Sequence, residues 1–114
     1  MAPDLSLWGR LREAAEFYRR IAERRSDSHS AAILRLAAVV LEDLGEDVIN
    51  GYLRRNTVEK AEYTLKLLKR NYLPHYTFET LYSEVYRKLQ HIAVDSVRGD
   101  SIFLRGAKAV IGLA

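Results

Sequence analysis

Between residues 52 and 88 the chain interleaves aromatic rings with cations. Tyr52, Tyr63, Tyr72, Tyr76, Phe78, Tyr82 and Tyr86 stand among Arg54, Arg55, Lys60, Lys66, Lys69, Arg70, Arg87 and Lys88. Ring faces stack on unpaired bases while Lys and Arg track phosphates, so this mixture points to single-stranded or structured RNA or DNA. At helical spacing Tyr72 and Tyr82 fall on apolar stripes and read as core residues whose hydroxyls reach the rim. Tyr63, Tyr76 and Tyr86 fall off those stripes. The candidate nucleic-acid contacts are therefore Arg54, Arg55, Lys60, Tyr63, Lys66, Lys69, Arg70, Tyr76, Tyr86, Arg87 and Lys88.

Within this stretch, Arg70-Asn71-Tyr72-Leu73-Pro74-His75 resembles the Arg-x4-6-His motif of the HEPN superfamily, small all-α domains that include RNA-binding proteins and metal-independent ribonucleases. A polar residue after the arginine is typical of that motif, and Asn71 fits. The resemblance implies that Arg70 would meet transition-state charge and His75 would transfer a proton, with Asn71 in support, commonly across a homodimer interface. A general acid–base imidazole beside a cation suits attack by a ribose 2′-hydroxyl. The residue types themselves favour binding over catalysis; a non-enzymatic assembly subunit of a protein or nucleoprotein complex and the ribonuclease reading stand as the alternatives.

Other chemistry finds little support. His29, His75 and His91 are far apart, and His91 with Asp95 reads as a helix-surface pair, so no metal site is expected. Glu42, Asp43, Glu46 and Asp47 form an acid cluster that could hold a hard cation or serve acid–base work, but reads better as a solvated connection. There is no glycine-rich phosphate loop, nucleophile elbow or dinucleotide fingerprint, and no cofactor is expected. The absence of cysteine excludes disulfide, thiolate-metal and thiol-nucleophile chemistry.

Charge is uneven along the 114 residues. Residues 1–50 carry seven Arg against nine acids, and residues 51–114 carry eleven Lys or Arg against six acids. A basic half attracts polyanions. Thirteen Arg against five Lys, with three Asn and one Gln, hints at life at high temperature. A hydrophobic share of 48% is enough for a real core. No apolar run approaches the roughly 20 residues that cross a bilayer, and the opening residues do not read as a secretory signal. A cytoplasmic domain with no membrane contact is expected.

The elements that must position these side chains are helices. Apolar residues recur at three- and four-residue steps over 5–25, with Asp4 or Ser6 as cap. A polar break over 26–30 precedes an apolar helix over 31–44, which Gly45 is expected to stop. Residues 46–55 suggest a short helix, or a turn at Asn50-Gly51. Asn56-Thr57-Val58-Glu59 reads as a capping box opening a helix to residue 71, with Val58, Ala61, Leu65, Leu68 and Tyr72 inward. Leu73-Pro74 breaks that pattern. Thr77 can cap a further helix over 78–95, with Phe78, Leu81, Tyr82, Val85, Leu89 and Ile92 inward. The tail over 101–114 reads as a helix, with a short strand as the alternative. Its Ile102, Phe103, Leu104, Val110 and Ile111 form a candidate interface for a protein partner or a second copy. The expected whole is one all-α domain spanning 1–114, a compact bundle of five or six helices with short connections.

Overall fold

A computed structural model describes the backbone of residues 4–96 and the side chains of residues 4–89. Among these residues the fold is all-α, with four helices instead of five or six: α1 (Leu5–Glu23), α2 (Ser28–Asn50), α3 (Arg55–Arg70) and α4 (Tyr76–Ser96). The expected interface residues Ile102, Phe103, Leu104, Val110 and Ile111 lie outside the described residues, as do the side chains of His91, Ile92 and Asp95.

The first break is displaced from the expected run over 26–30: α1 ends at Glu23 and α2 already begins at Ser28, so the second half of the polar run is helical. The Asp4 carboxylate accepts from the Leu7 backbone N–H at 3.0 Å and opens α1. Asp27 accepts from Ser30 N–H at 2.9 Å and opens α2. Each satisfies a donor that the helix geometry leaves unpaired.

The lower helix count comes mainly from α2, which runs straight through Gly45 to Asn50. A glycine inside a helix costs about 1 kcal/mol relative to alanine. Here it admits Trp8 of α1: a Cβ at Gly45 would meet Trp8 Cδ1 at 3.3 Å. The stop is instead Gly51, whose φ of 81° is left-handed and whose N–H donates to Asp47 O at 2.8 Å.

The Asn56 capping box does not form. α3 begins at Arg55, before the expected cap, with Arg54 at its cap position and no side-chain cap of its own. Asp47 of α2 fills the role from outside: its carboxylate accepts from Arg54 N–H at 3.0 Å and Arg54 Nε at 2.5 Å. The fourth helix likewise starts before Thr77, with His75 O accepting from Glu79 N–H at 2.9 Å.

The core lies between α1 and α2 and is closed by α3 and α4. Tyr18, Phe78, Leu7, Leu11, Leu34, Leu41, Leu44 and Leu68 are fully buried. Ion pairs tie the helices at their rims. Arg10 grips Glu84 through two bonds of 2.9 and 2.6 Å, Lys88 bonds Asp4, and Arg19 grips Glu42 through 2.9 and 2.5 Å bonds. Arg10 holds the Glu84 carboxyl, and Arg19 that of Glu42, below the usual carboxylate range.

Thr64 is fully buried on α3, and its hydroxyl has no hydrogen-bond partner among the described residues. An unpaired buried hydroxyl costs about 1–3 kcal/mol. Thr64→Val keeps the shape and removes the polar atom, so a gain of about 1 kcal/mol is expected. Urea unfolding with an unchanged m-value measures it; a loss would show that the hydroxyl is paired.

Candidate nucleic-acid interface

The expected basic, aromatic surface is divided among three places. At the α2–α3 connection, Arg54 is held by Asp47, with Glu46 at 3.8 Å, and Lys60 Nζ lies 3.3 Å from Asp43. The acid cluster of residues 42–47 is thus taken up by cations: Glu42 by Arg19, Asp43 by Lys60, Glu46 and Asp47 by Arg54. Among the described residues no group of His, Asp and Glu is arranged to hold a metal ion. Burial raises the Asp47 carboxyl above its usual range, while bonds from Arg54 and Thr57 pull it back.

Along α4, Lys88 is shared between Asp4 and Glu84, and Arg87 Nε donates to Ser83 O at 3.4 Å. Tyr86 meets Tyr82 edge-to-face, with ring centroids 6.0 Å apart. Tyr82 is half-buried as expected, and burial pushes its hydroxyl pKa up. Arg55 lies 3.7 Å from Glu59 on the first turn of α3.

The third place is the corner joining α3 to α4. Lys69 and Arg70 end α3, Asn71 caps it, and His75 precedes α4. Tyr72 corrects the sequence reading: the ring expected in the core is 95% exposed. The helical phase that put it inward ends at Arg70. Tyr72 has a φ of +55°, its N–H reaches Lys69 O, and Leu73 N–H reaches Leu68 O at 3.0 Å. This is a Schellman stop with tyrosine in the position that usually holds glycine, and with Leu68 and Leu73 buried beneath. The left-handed residue turns its ring outward.

Tyr76 is 79% exposed on the other side of the corner. Arg70 is exposed and makes no ion pair with any described residue. Two α3 turns back, about 10 Å along the helix, exposed Tyr63 shares its outward face. Half-buried Lys66 lies beside them.

The corner is held from below. Tyr18 of α1 is fully buried, its hydroxyl donates to Pro74 O at 2.8 Å, and its ring meets Phe78 edge-on at 6.4 Å. Burial pushes the Tyr18 hydroxyl up to about 12. Asn71 Nδ2 donates to Leu67 O at 2.9 Å, closing its own helix, and His75 Nδ1 lies 3.2 Å from Leu73 O. The three motif residues thus bracket one hydrogen-bonded turn, and Asn71 is engaged in capping α3.

No family model matches this chain, and no curated protein or solved structure matches it. The HEPN resemblance therefore rests on the six residues that carry it. No helix among the described residues is long and apolar enough to cross a membrane.

Proposed function

We propose that this protein binds single-stranded nucleic acid at the α3–α4 corner, with Tyr72 and Tyr76 stacking on unpaired bases and Arg70 meeting phosphate. One observation carries this reading. A tyrosine occupies a left-handed position where glycine would be less strained, and its ring is almost wholly in solvent. Strain of about 1–3 kcal/mol at such a residue is typical of functional positions. Among the described residues the ring packs against almost nothing, which supports a use in binding. The neighbouring charges suit the same ligand, because Lys66, Lys69 and Arg70 lie on the last two turns leading into the corner.

Three phosphate contacts to a single strand give a salt slope of about −2, so affinity should fall about 20-fold between about 50 and 200 mM salt. Fluorescence anisotropy of a labelled 12-nucleotide single strand measures this. A flat salt response, or no binding at the lower salt, would overturn the proposal. The same incubation with RNA in EDTA addresses the HEPN-like alternative. RNA recovered whole is the expected result, and cleavage that disappears in His75→Ala would move the protein from binding to catalysis.

A further inference from the structure

Glu79 brings a negative charge to the corner, and it sits on one of the cations that the strand would use. Lys69 Nζ lies 3.1 Å from Glu79 Oε2, linking the last turn of α3 to the first turn of α4. Both side chains are nearly half exposed, so water reaches the pair and screens it. Between Glu62 and Glu84 the sequence contains no other acid. Glu79 is three residues beyond Tyr76, on the turn that presents that ring. Its carboxylate occupies on Lys69 the place that a phosphate oxygen would take.

Resting on the nucleic-acid reading above, we infer that Glu79 is a built-in competitor for that site: it holds Lys69 in the free protein and must yield it to a backbone phosphate. Glu79 then limits affinity. It also sets a threshold against weak polyanions, because only a ligand that fills the tyrosine platform as well displaces it. An exposed pair of this kind holds loosely enough to exchange. A phosphate oxygen has the same charge-assisted hydrogen bond to offer the ammonium.

Glu79→Gln removes the charge and keeps the shape. A labelled 12-mer of oligouridylate should then bind about threefold or more tightly at about 50 mM salt, with the slope still near about −2 because the same three cations meet phosphate in the complex. In a Lys69→Ala background the gain should shrink to near nothing, because the competitor has no cation left to occupy. Equal affinity of Glu79→Gln and the wild type would overturn the inference while leaving the binding reading in place. So would a gain that persists undiminished without Lys69, since that would be a general charge effect. If neither the wild type nor Glu79→Gln binds the 12-mer, the binding reading itself fails and this inference falls with it.

Discussion

Tyr72→Gly is expected to make the protein more stable and worse at binding. The stability gain comes from the backbone. Tyr72 sits at φ +55°, in the left-handed position of the Schellman stop that ends α3. An L-residue with a side chain spends about 1–2 kcal/mol there, and glycine almost nothing. Glycine returns part of that by loosening the unfolded chain. The net gain should be about 1 kcal/mol, or about 4 °C in the melting midpoint for a domain of this size. The binding loss comes from the ring. A base stacked on an aromatic side chain is worth about 1–3 kcal/mol, so affinity for a single strand should fall about 30-fold. Tyr72→Asn separates the two effects, because asparagine tolerates the left-handed region and offers no stacking face. Thermal melts and anisotropy titrations of both variants test this directly. Unchanged affinity in both would remove Tyr72 from the site.

Asp47→Ala is expected to be the most damaging single substitution in the fold. Asp47 is fully buried at the end of α2 and accepts from the backbone N–H and the Nε of Arg54. Truncation leaves that backbone donor unpaired at the start of a helix with no other side-chain cap, and it strands the Thr57 hydroxyl beside it. The cost should be about 3 kcal/mol, a large share of the roughly 5–15 kcal/mol that holds a domain together. A melting midpoint lowered by about 12 °C would report it. Asp47→Asn keeps an oxygen for the Arg54 N–H and should cost about 1 kcal/mol. The sign of its pH dependence follows from burial. A carboxyl whose folded pKa is raised stabilises most below its ordinary value of about 3.9 and loses that contribution as pH rises through the folded value. The margin by which the wild type exceeds the Asp47→Asn variant should therefore be larger at about pH 3.5 than at about pH 7. An Asp47→Ala variant as stable as the wild type would mean that the α2–α3 connection does not depend on this carboxylate.

Much of this fold was legible because its signals are local. Asp4, one of the two residues expected to cap α1, does so, a break overlaps the polar run that begins at residue 26, and Leu73-Pro74 lies between α3 and α4 as expected. The misreadings share one cause, a partner or a turn that local pattern does not announce. Gly45 looks like a stop until Trp8, 37 positions earlier, is laid against it. Asn56 looks like a cap until Asp47 of the preceding helix satisfies Arg54 in its place. Tyr72 continues the inward stripe only while the helix continues, and the left-handed turn reverses its direction.

The candidate site divides in the same way. That residues 52–88 are rich in rings and cations is plain from composition, but which cations are already engaged is not. Arg54, Lys60, Lys69 and Lys88 each meet a carboxylate supplied by another helix or by the residue that caps one. An alternating pattern of charge in one dimension says nothing of such pairings. A surplus of tyrosine beside a proline-broken helix end was the one signal that could have singled out the corner.

The bond from Tyr18 to Pro74 joins residues 56 positions apart. A segment of that length closes only against considerable chain entropy, so the contact exists only once α1 has docked. The turn that displays Tyr72 is thus a cooperative property of the whole bundle, and the corner is not a local loop free to rearrange. Its full support is acquired when α1 docks and is lost when the bundle opens globally. A ligand that recognises this corner senses whether the entire bundle is folded, and by mass action it stabilises every helix, including α1, which need not touch it.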